Sequence, residues 1–336
     1  MKVAFYSSKS YDEEFFTKVN RDFNYELEFF ETRLDSHTVQ LADGYNAICA
    51  FVNDKINAGT LRAMKDKEIR LLVLRCAGFN NVDLEAADEY DVTVMRVPAY
   101  SPAAVAEHAL ALILTLNRKT HKAYNRVREG NFSLERLTGF NISGKTVGVI
   151  GTGAIGKAFI KLLRGFENTV KAHDPYPDDK LKEQGIEYVS LEELLAQSDI
   201  ISLHCPLTPE THRMINTDTL KHVKEGAMLV NTSRGKLIDT EAVINSLRNK
   251  QLGSLAIDVY AEEEKLFFKD LSEMIIDDDT ISRLMTLPNV LVTAHQAFLT
   301  REALVQIAKI TLQNITDFKN GETNENQVTS EHMQTA

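Results

Sequence analysis

The chain has 336 residues, of which 43% are hydrophobic and 26% are charged, and its formal net charge is −10. This length allows about two domains with a substantial core. The negative charge argues against nucleic acid as a main partner, because a phosphate backbone would be repelled. No apolar run reaches the roughly 20 residues of a membrane span, and the first residues do not resemble a signal peptide. The three cysteines, Cys49, Cys76 and Cys205, form no Cys-x-x-Cys pair, which predicts reduced thiols in a cytoplasmic protein.

The first hundred residues alternate between strand-like and helix-like segments. Strands are predicted at residues 3–6, 25–30, 47–52 and 71–74. This alternation is typical of an α/β fold with a doubly wound parallel sheet. A turn-rich segment follows, in which Pro98 and Pro102 disfavour helix just before each of them.

The remaining chain continues the same alternation. A long apolar helix is predicted at 103–117, and the segment 145–177 has the pattern strand, glycine turn, helix and strand. Further strands are predicted at 200–204, 228–231, 254–258 and 290–293, and an amphipathic helix at about 301–318. The polar end, 320–336, is expected to be loose. We expect hinges near Tyr100 and Phe298, so that residues 1–100 plus 299–336 form one domain, residues 101–298 form a second, and a cleft separates them.

The glycine turn Gly151-Thr-Gly-Ala-Ile-Gly156 has the dinucleotide-binding pattern in its required context, between a strand and a helix. Gly151 allows the tight turn, Gly153 lets the backbone approach a pyrophosphate, and Gly156 lets the helix pack against the strand. Ala154 and Ile155 open the helix, whose free N–H groups favour phosphate. The alternative interpretation is a glycine turn in an ordinary βαβ unit.

An acidic residue, Asp174, ends the strand that follows this helix. Its carboxylate is expected to accept hydrogen bonds from the adenosine ribose. A 2′-phosphate there would meet a like charge, at a cost of about 4 kcal/mol at 4 Å and an effective dielectric of about 20. The next residues are Pro175 and Tyr176 and not arginine, so the sequence predicts NAD(H) over NADP(H).

Three polar residues follow predicted strands at the carboxyl edge of the sheet, where α/β proteins bind ligands. They are Arg234, Glu263 and His295. Arginine presents a fork that suits a carboxylate, and histidine can exchange the proton of a carbonyl or hydroxyl group. A glutamate against the other imidazole nitrogen would fix the tautomer and favour the imidazolium. His204 also ends a strand, but we interpret it as a structural or cofactor-lining residue.

With these residues the chain resembles the D-2-hydroxyacid dehydrogenase family, and most closely its lactate branch, over nearly its whole length. The resemblance rests on stretches that include Arg75-Cys-Ala-Gly-Phe-Asn-Asn-Val-Asp, Val97-Pro-Ala-Tyr-Ser-Pro, Ala106-Glu-His-Ala, the glycine turn, Ser202-Leu-His-Cys-Pro-Leu-Thr-Pro, Val230-Asn-Thr-Ser-Arg-Gly, Asp258-Val-Tyr-Ala-Glu-Glu-Glu and Ala294-His-Gln-Ala-Phe. It implies two doubly wound parallel-sheet domains, a flavodoxin-like substrate domain and a Rossmann NAD-binding domain. It also implies NADH-dependent reduction of pyruvate to D-lactate by a homo-oligomer, either a dimer or a tetramer.

The resemblance assigns residues to this reaction. The family's catalytic arginine, glutamate and histidine fall on Arg234, Glu263 and His295. The other implied residues bind the substrate carboxylate (the amides around Ala77 and Gly78), enclose the substrate's small side chain (Phe51, Tyr100 and Phe298) or contact the cofactor (Cys205, Pro206, Thr232, Ser233 and Asp258). No metal site is part of this set.

Some features depart from the family pattern or leave alternatives open. Ala294 stands where many members have proline before the histidine, and Glu262 and Glu264 flank Glu263, so that assignment rests on register. The connection from Glu263 to Val290 is longer than in many members, which favours the lactate branch. The alternatives are a dehydrogenase for a larger 2-oxo acid and an NAD(H)-sensing binding protein of the corepressor type.

Overall fold

The computed structural model describes residues 1–333 as an α/β protein. The chain divides into two compact units, Met1–Ser101 with Leu299–Ala336 (unit 1) and Pro102–Phe298 (unit 2). Among the described residues no helix is long and apolar enough to cross a membrane.

The strands are short, and most of them are parallel to their neighbours. In chain order they are β1 (Lys2–Phe5), β2 (Glu26–Phe29), β3 (Ala47–Ala50), β4 (Leu71–Leu74), β5 (Thr93–Met95), β6 (Thr146–Ile150), β7 (Thr169–His173), β8 (Glu187–Tyr188), β9 (Ile200–Leu203), β10 (Ala227–Asn231), β11 (Leu252–Ile257), β12 (Val290–Val292) and β13 (Gln327–Val328). The central strands β3, β4, β9 and β10 are buried along their whole length, as is typical of parallel strands covered on both faces.

The helices connect these strands. They are α1 (Ser10–Val19), α2 (Ala58–Asp66), α3 (Leu84–Glu89), α4 (Pro102–Arg118), α5 (Thr120–Arg128), α6 (Ala154–Leu163), α7 (Asp179–Glu183), α8 (Leu191–Gln197), α9 (Thr240–Arg248), α10 (Asp279–Thr286) and α11 (Arg301–Asn320). Several begin where a short polar side chain accepts a first-turn N–H, as Asp239 does for α9 and Thr300 for α11. Gly321, with a φ of 74°, ends α11 in the left-handed conformation that glycine favours.

Unit 1 contains a six-stranded sheet in the order β13-β5-β4-β3-β1-β2. Strands β1 to β5 are parallel, and their order 2-1-3-4-5 is that of flavodoxin-like folds. Helix α11 packs against α1 and β4, so the C-terminal helix completes this unit.

Unit 2 contains a seven-stranded parallel sheet in the order β12-β11-β10-β9-β6-β7-β8. Counted from β6, this is 7-6-5-4-1-2-3, which contains the 3-2-1-4-5-6 order of Rossmann dinucleotide-binding folds. Two apolar clusters pack against the sheet, one including Leu229, Leu255 and Leu284, the other including Val149 and Phe159. The fold predicted from the sequence is confirmed, with two doubly wound sheets.

The C-terminal segment differs from its prediction. The sequence predicts that residues 320–336 are loose, which is wrong for 320–333, and residues 334–336 lie outside the described residues. Strand β13 pairs antiparallel with β5, and Asn326 O accepts the N–H of Arg96 at 2.9 Å. The side chain of Asn326 also donates to Asn314 Oδ1 at 2.8 Å. The polar composition did not reveal this order. Asparagine side chains here form hydrogen bonds with one another, and the backbone of the segment pairs with β5.

Candidate active site

Three neighbouring strands of unit 2 carry the predicted catalytic side chains. Arg234 follows β10, Glu263 follows β11 and His295 follows β12. Because β10, β11 and β12 are adjacent and parallel, all three residues lie beyond the same carboxyl edge of the sheet. This edge is where open α/β sheets bind their ligands.

Glu263 and His295 are in direct contact. Oε1 of Glu263 lies 2.9 Å from Nδ1 of His295, and the two side chains are only 21% and 20% exposed. Oε2 of Glu263 accepts the Tyr260 N–H at 3.0 Å, so both carboxylate oxygens have a partner. A charged partner on Nδ1 orients the imidazole and leaves Nε2 to exchange a proton.

The register among the three successive glutamates is clear in the structure. It is Glu263 that faces His295, whereas the carboxylate of Glu262 lies 3.5 Å from Lys265 Nζ and is exposed. A short 3₁₀ helix, Glu263–Lys265, turns the chain at this point. The contact that the predicted catalytic pair requires is therefore present, while the catalytic role itself stays a prediction.

The loop that carries His295 is held by Asp258. The Asp258 carboxylate is fully buried and accepts the Thr293 hydroxyl at 2.6 Å and the N–H groups of Gln296 and Ala297 at 2.9 Å each. The backbone oxygen of Asp258 accepts the His295 N–H at 2.7 Å. The same residue thus fixes the loop on both sides of His295. Its predicted contact with the cofactor is not tested by these bonds.

His108 on α4 completes this cluster. Its Nε2 lies 3.3 Å from Asp258 Oδ1 and 3.2 Å from the Thr293 hydroxyl. Burial raises the pKa of Asp258, but hydrogen bonds from His108, Thr293 and the Gln296 N–H favour the charged form, and the net effect holds the pKa below its ordinary value. Asp258 is therefore a buried carboxylate stabilised by its donors.

His295 has an unusual backbone conformation. Its φ is 53°, in the left-handed region that few residues other than glycine adopt. The hydrogen bonds to Asp258 enforce this conformation. Such backbone strain is common at functional sites, where the surrounding structure overdetermines it.

Arg234 is half-buried and lies at the end of β10. Its Nη1 donates to the Ser233 carbonyl at 2.8 Å, and its own carbonyl accepts the Asn231 side chain at 2.8 Å. The following Gly235 lies against Tyr260, since a Cβ built on Gly235 would come within 2.1 Å of the Tyr260 carbonyl carbon. The turn after β10 therefore packs on the segment that leads to Glu263.

The glycine turn has the shape that a pyrophosphate needs. Gly151 has a φ of 94°, and a Cβ there would lie 2.5 Å from the Cys205 amide nitrogen. A Cβ on Gly156 would lie 2.0 Å from the Gly151 carbonyl oxygen, so both positions require glycine. A Cβ on Gly153 would meet nothing within 4 Å, which leaves open space above the start of α6. Ala154 and Ile155 form that first turn, whose N–H groups suit an anion.

Asp174 follows β7 and is fixed by the glycine turn. Its Oδ2 accepts the Thr152 N–H at 2.6 Å and the Thr152 hydroxyl at 2.9 Å, and its Oδ1 accepts the Tyr176 N–H at 2.8 Å. The carboxylate is thus held at the strand end where a ribose would be recognised in this fold.

The ends of β9 and β10 complete the surroundings of the turn. The Ser233 hydroxyl donates to the Cys205 carbonyl at 2.6 Å. Thr232 Oγ1 is buried and has no hydrogen-bond partner within residues 1–333, so this predicted cofactor contact offers a polar atom to a ligand. Pro206 directly follows Cys205, beyond the end of β9. Burial lowers the pKa of His204 to about 3, so this histidine is neutral and is no candidate proton donor.

The other predicted substrate residues are divided between the two units. In unit 1, Phe51 is buried just after β3, and Ala77 and Gly78 follow the neighbouring strand β4, so these three lie at one sheet edge. Tyr100 is half-buried near the end of the first segment of unit 1, and Phe298 is buried at the end of unit 2. The Ala77 carbonyl accepts Arg96 Nη1 at 2.9 Å, which fixes the Ala77 loop.

Sequence reasoning missed Phe268. Its ring centroid lies 5.9 Å from that of the His295 imidazole. The signal was the apolar triplet Leu266-Phe-Phe shortly after the three glutamates. Within the described part of the chain, no group of three or more His, Cys, Asp or Glu side chains is placed to hold a metal ion.

The chain is similar to known proteins in sequence and in structure. Residues 110–297 match the family model described as "D-isomer specific 2-hydroxyacid dehydrogenase, NAD binding domain". The chain is 51% identical over 328 residues to D-lactate dehydrogenase of Escherichia coli, covering 98% of this chain and 100% of that protein. The apo structure of the E. coli enzyme has a TM-score of 0.91 at 50% identity and the same coverage. A structure of the pyruvate reductase of Chlamydomonas reinhardtii has a TM-score of 0.93 at 44% identity, covering 97% of this chain and 98% of that one. The chain therefore belongs to the D-isomer specific 2-hydroxyacid dehydrogenases, a family of NAD-dependent enzymes.

Proposed function

We propose that this protein is a D-lactate dehydrogenase, which reduces pyruvate to D-lactate with NADH. The observation that carries the proposal is the Glu263–His295 pair, 2.9 Å apart, at the sheet edge that also carries Arg234. The relatives named D-lactate dehydrogenase or pyruvate reductase support pyruvate as the substrate. The D configuration of the product rests on those relatives as well.

The residues of unit 2 have the chemistry for this reaction. When bound, NADH supplies the hydride that reduces the carbonyl carbon. Arg234 binds the substrate carboxylate and polarises the ketone, because its guanidinium is always charged and presents several donors. Protonated His295 gives a proton from Nε2 to the carbonyl oxygen, and Glu263 stabilises the imidazolium. The glycine turn, Asp174, Cys205, Thr232 and Ser233 hold the dinucleotide.

Unit 1 is the proposed substrate domain, and unit 2 the proposed NAD-binding domain. In unit 1 the backbone amides around Ala77 and Gly78 bind the substrate carboxylate. Phe51 and Tyr100, with Phe298, limit the size of the substrate's side chain. Aromatic side chains around the substrate are expected to exclude a longer tail, which favours pyruvate over larger 2-oxo acids.

The test is NADH oxidation with a panel of 2-oxo acids that differ in tail size, followed by chiral analysis of the product. We expect the highest kcat/KM for pyruvate and D-lactate as the product. A higher kcat/KM for a branched or aromatic 2-oxo acid would identify a dehydrogenase for a larger substrate. No turnover of any 2-oxo acid, with NADH still bound, would favour the NAD(H)-sensing alternative.

We further propose a homo-oligomer, a dimer or a tetramer, in the cytoplasm. Large apolar side chains are exposed on and after α5: Tyr124, Val127, Phe132 and Leu134. Such a set is expected at an interface between subunits. The three cysteines are buried and form no disulfide within residues 1–333, which suits a reducing compartment. Sedimentation of the pure protein would give the subunit number, and a monomer at assay concentration would refute the oligomer.

A further inference from the structure

The imidazole of His295 has an aromatic neighbour that the proposed mechanism does not use. Phe268 lies in the connection between β11 and α10, and its ring plane is tilted 39° from the imidazole plane at a centroid distance of 5.9 Å. That distance lies within the range of aromatic pairs. Phe268 is half-buried, and both aromatic rings belong to unit 2.

The backbone of Phe268 is strained. Its φ is 63°, a left-handed conformation that is a genuine outlier for a bulky side chain. Glycine would adopt this conformation without strain, so the aromatic ring is present against the local preference of the backbone. Strain of this kind points to function where the surrounding structure enforces it.

One short turn supplies both neighbours of the imidazole. The N–H groups of Leu266 and Phe267 donate to the Glu263 carbonyl at 3.0 and 2.8 Å, and Phe267 is buried in the core of unit 2. The turn is thereby anchored to the sheet. From this anchor, Glu263 reaches Nδ1 of His295 and Phe268 lies against the ring.

One hydrogen bond at Nδ1 restrains the imidazole only in part, because χ2 of histidine, the torsion about Cβ–Cγ, has broad energy wells. A neighbouring aromatic ring narrows the range of χ2 that the imidazole can adopt without a clash. We propose that Phe268 is a positioning residue, which holds the His295 imidazole in the orientation that Glu263 and the substrate require. This inference rests on the role of His295 in the proposed function.

The experiment compares Phe268→Ala, Phe268→Leu and Phe268→Gly with the wild type. The matched control is Phe23→Ala, because Phe23 is half-buried like Phe268 and its ring stacks on Tyr25, outside the proposed site. We expect Phe268→Ala to lower kcat at least about tenfold, as small misplacements of reacting groups do, with NADH affinity unchanged. Phe268→Leu keeps an apolar side chain of similar reach and should recover most of kcat. Phe268→Gly relieves the backbone strain, so its melting temperature should equal or exceed that of Phe268→Ala. Its kcat should be as low as that of Phe268→Ala, because the aromatic ring is still missing.

The second readout does not depend on turnover. Nitrogen-15 NMR of labelled histidine reports whether Nδ1 or Nε2 of His295 carries the proton in the free enzyme. We expect one hydrogen-bonded form in the wild type and an averaged or broadened signal in Phe268→Ala. If the wild type reduces no 2-oxo acid, the proposed function fails, and the NMR comparison still decides the role of Phe268. The inference is overturned if Phe268→Ala leaves the His295 signals unchanged, or if Phe268→Gly restores kcat together with stability.

Discussion

At the scale of single residues, Glu263 joins two parts of the site. One carboxylate oxygen contacts His295 Nδ1, and the other accepts the Tyr260 N–H. Glutamine in its place would keep the shape and lose the charge. We expect Glu263→Gln to lower kcat about 10- to 100-fold, within the range of general acid catalysis. The imidazolium that the proposed mechanism requires would then lose its counter-charge.

The measurement is kcat and kcat/KM for the 2-oxo acid in the wild type and in Glu263→Gln. Glu262→Gln is the matched control, since Glu262 is exposed and pairs with Lys265. An unchanged kcat in Glu263→Gln would contradict the proposed pairing. A similar loss in Glu262→Gln would show that the charge of the whole segment matters instead.

Asp258 controls the stability of the His295 loop. Its buried carboxylate accepts the Thr293 hydroxyl and two backbone N–H groups, and an amide nitrogen in Asn would oppose one of these donors. We expect Asp258→Asn to lower the free energy of unfolding by about 1–3 kcal/mol. The pKa of Asp258 is held below its ordinary value, so its stabilising contribution is present above that ordinary value, near 4, and is lost as pH falls through the folded pKa.

The difference in melting temperature between wild type and Asp258→Asn should therefore be largest above about pH 5 and shrink as the pH falls below about 4. Thermal melts across this range measure it. A difference independent of pH would show that shape alone, and not the charge of Asp258, stabilises the loop.

At the scale of elements, the turn between β6 and α6 contains glycines that the fold requires and one glycine that NADH binding is expected to require. A Cβ on Gly156 would lie 2.0 Å from the Gly151 oxygen, whereas one on Gly153 would meet nothing within 4 Å. We expect Gly156→Ala to lower both stability and NADH affinity. Gly153→Ala should leave stability equal or raise it by about 0.4–1 kcal/mol, because φ is −65° there, and should still weaken NADH binding at least about tenfold.

Melting temperature and NADH fluorescence titration on the same variants test this separation. Gly165→Ala is the control, since a Cβ at Gly165 also meets nothing within 4 Å and lies beyond the end of α6. Normal NADH affinity in Gly153→Ala would mean that the cofactor does not approach the backbone at this glycine.

The sequence predicted the elements whose formation depends on the periodicity of apolar residues. The buried strands read as apolar runs, and the glycine turn and the polar residues after β10, β11 and β12 follow from that reading. Other features depend on contacts between distant segments. The left-handed backbone at His295 and Phe268 has no local signature, because most histidine and phenylalanine residues adopt other conformations. The hydrogen bonds that Asp258 accepts from residues 293, 296 and 297 join segments far apart in the sequence. The pairing of β13 with β5 does the same, so no local pattern predicts either feature.

At the scale of the whole molecule, the two units differ in the number of chain segments that form them. Unit 2 is one continuous segment with its own sheet, whereas unit 1 is built from two segments that α11 and β13 complete. Of the residues proposed to act on the substrate, Arg234, Glu263 and His295 belong to unit 2. The amides of Ala77 and Gly78 belong to unit 1. Cofactor binding and turnover are therefore expected to be separable.

We expect the excised segment 102–298 to fold and to bind NADH without reducing pyruvate. Its roughly 200 residues are enough to bury a core of their own, and the glycine turn, Asp174 and Thr232 all lie within it. Its NADH affinity should fall by less than about tenfold, or about 1.4 kcal/mol. A cooperative thermal melt and NADH titration test this, with Gly153→Ala in the same segment as the control that should bind NADH at least about tenfold more weakly. Pyruvate turnover by the excised segment would remove unit 1 from the proposed site, because the amides of Ala77 and Gly78 would then be dispensable for holding the substrate carboxylate.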